Sequence, residues 1–270
     1  MNWMYSVSGF AVGLLVGITG VGGGSLMTPL LVFLFGFKAS VAVGTDLLYA
    51  AITKTGGVFV HHGKHGSVDW RIVGWLASGS LPFAGLTLYV IKQLMAVGTE
   101  TTGMITYSLG IALILTACAL LIRAALLKRA KAKGEIDDDH SNIVNAGRFP
   151  PSLEIPATIL TGAVLGVLVT LSSVGAGALG TVALMFLYPR MTTLKIVGTD
   201  LAHAIPLTAV AGLGHLSLGN VDLMLLVSLL IGSLPGIWIG SHLSAKIPEH
   251  YLRPALASVL LLIGLKFVTQ

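Results

Sequence analysis

Long apolar runs alternate with short polar gaps along the whole chain. Eight apolar stretches stand out, at about 6–35, 39–60, 71–91, 103–127, 156–188, 193–214, 221–243 and 252–269. Runs of about 20 apolar residues have the length at which a helix crosses a bilayer. The pattern therefore predicts an all-α polytopic membrane protein, with the lipid bilayer as its first partner. One interval interrupts it: residues 128–152 are charged, carry Gly134 and end in the Pro150-Pro151 pair, the marks of a linker. It divides the chain into a first transmembrane repeat (1–127), a cytoplasmic linker (128–152) and a second transmembrane repeat (153–270).

The two parts match each other in order. Val43-Gly44-Thr45-Asp46-Leu47 recurs as Val197-Gly198-Thr199-Asp200-Leu201, an offset of 154. His62-x3-Gly66-x-Val68-Asp69 recurs as His215-x3-Gly219-x-Val221-Asp222, and Gly79-Ser80-Leu81-Pro82 recurs as Gly232-Ser233-Leu234-Pro235, both at 153. Thr19-Gly20-Val21-Gly22-Gly23-Gly24 aligns with Ser172-Ser173-Val174-Gly175-Ala176-Gly177, again at 153. Four ordered matches at nearly one offset indicate an internal duplication.

The basic residues then select a topology. Eight single crossings would put Lys64, Arg71 and the linker cations on one side but Arg190, Lys195, Lys246 and Arg253 on the other, against the rule that basic loops stay cytoplasmic. The conflict disappears if 6–35 and 156–188 each enter and return on one side. Both are near 30 residues with a Gly/Ser-rich centre, which suits two half-length helices around a break. Only Lys38, Lys92 and Lys266 then lie outside, with Lys54 inside a span. The expected fold is two inverted-topology repeats, each a broken or re-entrant helix pair plus three transmembrane helices. This plan recurs in secondary transporters and brings the substrate to the midplane.

Composition agrees: 54% of the 270 residues are hydrophobic and 10% charged, against about 25% charged in soluble domains. The net charge of +5 does not point to nucleic acid, because the basic residues sit in gaps between apolar runs. Cys118 is the single cysteine and forms no intrachain disulfide. Met1 to Phe10 lacks a basic leader region and reads as the start of the first membrane segment.

The strongest candidate site is the first break, with Thr19, Gly20, Gly22, Gly23, Gly24 and Ser25. Irregular backbone at membrane depth lines a cavity or lies buried in protein. Consecutive glycines let N–H groups converge, and a following helix start adds partial positive charge, so the segment suits an anion. Ser172, Ser173, Gly175 and Gly177 form the second copy. The competing reading is that these glycines only permit close helix packing. No nucleotide loop is present, because the GxxxxGK[ST] lysine is missing.

Asp46 and Asp200, each in a membrane span, are candidates for proton or ion coupling, since a carboxylate there is costly and faces a cavity or partner. Equally, each pins the break of its own half. Thr45 and Thr199 accompany them as substrate ligands. Lys54 stands eight residues after Asp46, about 80° round a helix, and attracts an anion or snorkels to the inner surface. His61, His62, His65, His203 and His215 read as solvated loop histidines rather than metal ligands, with His203 also placed for a proton relay beside Asp200. No Ser-His-Asp or Cys-His arrangement supports an enzyme. No cofactor and no metal are expected.

Taken together, Gly17-x-Thr19-Gly20-x-Gly22-Gly23-Gly24-x4-Pro29, Ala42-Val43-Gly44-Thr45 and Gly66-x-Val68-Asp69-Trp70 resemble the signature of the TauE/SafE sulfite exporter family, over essentially the whole chain. The resemblance implies a multi-pass protein of the inner (cytoplasmic) membrane. It would export or exchange small sulfur-containing anions such as sulfite or sulfonates, without organic cofactor. It implies a substrate region at the two breaks and the adjacent VGTD motifs. Ser173 and Ala176 replace glycines of the first break, so the two copies would hold a substrate unequally. The rival expectations are an anion channel with the same lining and a membrane-embedded assembly factor without substrate. A second copy of the chain, as a homodimer, stands among the expected partners.

Overall fold

The computed structural model describes residues 3–19, 24–61, 67–132, 150–244 and 249–269. These residues contain ten helices and no strand: α1 (Trp3–Thr19), α2 (Gly24–Phe35), α3 (Ala39–His61), α4 (Trp70–Ala96), α5 (Thr101–Ala132), α6 (Pro151–Ser172), α7 (Leu179–Leu187), α8 (Thr193–Ser217), α9 (Leu223–Ser244) and α10 (Glu249–Thr269). Five are long and apolar enough to cross a membrane, over 70–96, 101–126, 152–172, 193–217 and 223–240.

Each apolar stretch of the sequence becomes one helix, except the first of each half, which becomes two. The second pair departs from the expected two half-lengths. α6 has 22 residues, about 33 Å and enough for a crossing, whereas α7 has 9. α6 is prolonged at its start because Pro151 occupies its first turn, where a missing N–H costs nothing. α5 continues to Ala132, so residues 128–132 of the expected linker are helical, with lysines, arginine and alanines that favour helix.

The duplication reappears as reciprocal packing. α1 lies against α9, and its counterpart α6 lies against α4; α3 packs on α8, and α5 on α10. Glycines make these contacts close. Gly9 faces the backbone of Leu229 and Gly13 that of Ser233, while 153 residues on Gly162 faces Leu76 and Gly166 faces Ser80. Likewise Gly79 meets Ile159 and Gly232 meets Ser6. Lipid tails are as apolar as leucine, so small residues and close backbone contact, rather than hydrophobic exclusion, hold such helices together.

The registers also give relative directions. Along α1 and α9 the partners rise together, from Gly9 with Leu229 to Gly17 with Gly240, so these two run parallel. Gly44 meets His215 and Asn220, whereas Leu48 meets Gly212, so α3 and α8 pass antiparallel. A central apolar cluster fills their crossing, with Val43, Leu47, Leu207 and Ala211 among its buried members.

Two matched caps close the ends. Asp69 Oδ1 accepts from the N–H groups of Arg71 and Ile72 at the start of α4, and the Asp69 N–H donates to Thr199 Oγ1 at 2.9 Å. At the other end Asp222 Oδ1 accepts from Leu225 N–H at 2.9 Å, and the Asp222 N–H donates to Thr45 Oγ1 at 3.0 Å. Among the described residues only the first end adds an ion pair, Lys195 Nζ to Asp69 Oδ2 at 3.2 Å, because Val41 stands where a second lysine would be.

Candidate functional site

Buried polar groups converge where α3 and α8 pass the return helices α2 and α7. On α3, Asp46 Oδ2 accepts from Thr28 Oγ1 of α2 at 2.5 Å. On α8, Asp200 Oδ2 accepts from Thr181 Oγ1 of α7 at 3.0 Å. Thr28 and Thr181 are themselves 153 residues apart. Both carboxylates are fully buried (0% exposed), and in each the second oxygen, Oδ1, forms no hydrogen bond of ordinary geometry among the described residues, although Ser173 and the Thr28 backbone lie near Asp46 and the Thr181 backbone near Asp200. A buried acceptor without a partner carries a desolvation cost of about 1–3 kcal/mol. The same arrangement occurs at matched positions of the two halves, which makes the pair the candidate site.

Lys54 lies between the halves. Its Nζ donates to the Ala176 carbonyl of the second break at 3.0 Å, 122 residues away, and the side chain is 7% exposed. Asp200 and Asp46 both act on it electrostatically, yet among the described residues no salt bridge within 4.0 Å joins it to either. The direct pairing with Asp46 that helical spacing allowed is therefore not made. The lysine instead reaches the break of the opposite repeat. Arg123 of α5, also buried, contributes a further positive charge to the surroundings of Asp200.

The second break is built by backbone conformation. α6 ends on Ser173 with φ 60, a left-handed value rare for a residue with a side chain, and Gly175 (φ 115) and Gly177 (φ 124) turn the chain into α7. Ser172 Oγ is occupied locally, donating to Leu168 O at 2.6 Å and accepting from Val174 N–H at 3.1 Å. Ser173 faces Asp46 from the other repeat, and its Oγ forms no hydrogen bond of ordinary geometry.

The sequence-derived candidates thus divide. Asp46, Lys54, Ser173 and Asp200 come together with the second break. Ser172, Gly175 and Gly177 shape that break. Thr45 and Thr199 turn away to hold the caps of α9 and α4. Gly20, Gly22 and Gly23 lie outside the described residues. Thr19, Gly24 and Ser25 belong to α1 and α2, but their surroundings also lie outside what is described.

Two histidines correct the expectation of solvated loop positions. α8 buries His203 in its middle, and it runs to Ser217, further than the apolar pattern suggested, so it carries His215 into the interior as well. His215 Nε2 bonds the Thr170 carbonyl at 2.9 Å. His203 Nε2 bonds Ser80 Oγ at 2.8 Å, and its Nδ1 is without a partner. His61 ends α3 with its side chain undescribed, and His62 and His65 lie outside the described residues. Among the described residues no three His, Cys, Asp or Glu side chains are grouped to hold a metal.

Thr28, Thr181, Ser80 and Arg123 are the members that sequence reading did not select. The duplication offers a signal for three of them. Thr28 and Thr181 match at 153, and Ser80 belongs to the repeated Gly-Ser-Leu-Pro motif, whose second copy puts Ser233 beside Tyr49, the α3 counterpart of His203. Arg123 lies outside the repeated motifs.

Comparison with known proteins agrees with this architecture. The family described as "Sulfite exporter TauE/SafE" matches residues 5–267. A "Probable membrane transporter protein YjnA" of Bacillus subtilis is 40% identical over 261 residues, covering 96% of this chain and 97% of that protein. YdhB of the same organism, also a "Probable membrane transporter protein", is 28% identical over 263 residues, covering 94% and 97%. A probable membrane transporter protein of Methanocaldococcus jannaschii is 26% identical over 276 residues, covering 96% and 92%. No solved structure matches the chain. With a family match across nearly its whole length and membrane-crossing helices in both halves, the chain belongs to the sulfite exporter TauE/SafE family, a family of multi-pass membrane transporters.

Proposed function

We propose that this chain is a secondary transporter that moves a small sulfur-containing anion, such as sulfite or a sulfonate, across the cytoplasmic membrane by alternating access. Protons on Asp46 and Asp200 travel with the anion. The observation that carries this reading is the matched pair of buried carboxylates, each with one oxygen held by a threonine and the other outside any hydrogen bond of ordinary geometry. A proton on Oδ1 turns an unpaired acceptor into a donor, and a donor is what an oxyanion requires. Proton and anion then favour each other's binding, which is the thermodynamic content of coupling.

Thr181 supports the same reading. Its single hydroxyl proton faces two acceptors, Gly177 O at 2.5 Å and Asp200 Oδ2 at 3.0 Å. A proton on Asp200 Oδ2, donated to Thr181 Oγ1, satisfies both contacts while no anion is bound, and the same proton on Oδ1 faces the anion instead. Ser173 Oγ and the glycine turn next to it supply further donors, and buried Lys54 and Arg123 offset the anion's charge.

The membrane arrangement belongs to this proposal. The antiparallel passage of α3 and its counterpart α8 supports inverted repeats, since copies related by an axis in the membrane plane run in opposite directions. α1 starts at the same end as α9 and α3, and α2 returns there, which supports a re-entrant pair. Arg71, Arg190 and Lys195 share the end capped by Asp69, so that end faces the cytoplasm.

The test is flux into proteoliposomes under an imposed pH gradient, with labelled sulfite and sulfonates. One pH unit per coupled proton drives at most about tenfold accumulation. Wild-type protein should concentrate the anion, while Asp46→Asn and Asp200→Asn should lose concentration yet retain exchange at equal concentrations. Undiminished accumulation by the double Asn variant would remove the carboxylates from the mechanism, and downhill flux alone from the wild type would identify a channel.

A further inference from the structure

Lys54 has no counterpart. At the matching position of α8 stands Thr208, whose hydroxyl turns back to the Ala204 carbonyl of its own helix at 2.8 Å. Two carboxylates related by duplication therefore share one ammonium. One oxygen touches that ammonium, the Ala176 carbonyl from an unwound turn. Beyond 4.0 Å stand the carboxylates of Asp46 and Asp200, each with an oxygen outside any hydrogen bond of ordinary geometry, and the His203 imidazole also acts on the lysine. Unwound carbonyls and carboxylates at the crossing of two repeats are the donor set that a monovalent cation takes in a transporter core. All of these groups are buried, so the positive charge cannot be supplied by solvent.

We infer that the Lys54 ammonium is a tethered substitute for a bound alkali cation, occupying between the repeats the place that sodium or potassium would otherwise fill. The lysine is anchored in α3 and bonded to the break after α6, so it links the two repeats as a shared ion would. It cannot dissociate, so no alkali cation is carried with the substrate. The inference rests on the reading of Asp46 and Asp200 as the functional pair, but it concerns which cation sits beside them and is tested without any anion flux.

The experiment measures thermal unfolding of the purified full-length protein in sodium, potassium or N-methyl-D-glucamine gluconate at equal ionic strength. Wild type should melt at the same temperature in all three. Lys54→Thr installs the residue of the other repeat and leaves buried carboxylates uncompensated, which is strongly destabilising. Its midpoint should be depressed in N-methyl-D-glucamine and should rise by about 5 °C at a sodium or potassium concentration a hundredfold above the dissociation constant. Lys54→Arg should remain indifferent to the cation, and adding Asp46→Asn to Lys54→Thr should abolish the response. A folded Lys54→Thr that melts alike in all three salts overturns the inference, as does a wild type that sodium stabilises equally. If Lys54→Thr folds in no salt, Lys54→Met, which keeps the length of the side chain, is read by the same criteria. Failure of Lys54→Met in every salt also overturns it, since sodium should rescue the fold. Loss of the inference leaves the proton-coupling result from the Asn variants standing, and the two failures are read by different measurements, melting temperature and flux.

Discussion

Gly13→Ala adds one methyl group within the close α1–α9 contact. A Cβ on Gly13 would sit 2.7 Å from Ser233 Cα and 2.9 Å from its carbonyl carbon, where ordinary contact begins near 3.4 Å. Both obstacles are backbone, so no side chain can rotate away, and the helices must part by roughly 0.5–1 Å. Such a gap forfeits about a quarter to a half of the dispersion energy of each neighbouring contact. Overpacking of this kind costs about 1–3 kcal/mol, and alanine's better helix propensity returns up to about 1 kcal/mol. The net expectation is a loss of about 1–2 kcal/mol. Gly166→Ala should lose a similar amount, because its Cβ would lie 2.9 Å from Ser80 Cα and 3.0 Å from the carbonyl carbon. Gly74→Ala and Gly85→Ala serve as controls. Nothing lies within 4 Å of a Cβ at either position, so these variants should be as stable as wild type or gain up to about 1 kcal/mol. Equilibrium unfolding by SDS titration in mixed micelles reads all four. Wild-type stability in Gly13→Ala or Gly166→Ala, or a loss in one alone, would refute the reciprocal packing.

Thr45→Val and Thr199→Val each remove the acceptor of a capping N–H, from Asp222 and Asp69 respectively, and should each cost about 1–3 kcal/mol. Thermal midpoints should fall by similar amounts in the two variants, and an effect in only one would contradict their matched roles. Lys195→Ala breaks a partly exposed ion pair and should cost under about 1 kcal/mol, whereas Asp69→Ala also loses the α4 cap, worth about 0.5–2 kcal/mol. Equal losses in these two variants would assign the stability to the ion pair rather than the cap.

Much of the site was legible through the duplication. Asp46 and Asp200 stood out as carboxylates in apolar runs, and the offset of 153–154 that paired them also pairs Thr28 with Thr181. Lys54 was visible as a lone cation in a span, but its partner Ala176 is 122 residues away and no local spacing identifies it. His215 was misplaced because the apolar pattern fades near residue 214, while α8 keeps its backbone bonds to Ser217. The repeated Gly-Ser-Leu-Pro motif announced a copy without revealing that Gly79 and Gly232 each pack against the first helix of the other half.

From the sequence alone follow the membrane class, the helix count per half, the duplication and the family resemblance, because each depends on composition, run length or repeated order. Only the tertiary structure decided which faces meet. In a soluble protein the apolar stripe of a helix points to the core, but here lipid and interior are equally apolar. Leu86 and Leu234 are each 54% exposed, while Leu76 and Leu229, on the same two helices, are fully buried. Hydropathy does not distinguish these positions. The absence of a Cβ at glycines such as Gly9, Gly13, Gly162 and Gly166 does, because it permits close backbone approach, and that approach interlocks the two repeats around their buried carboxylates.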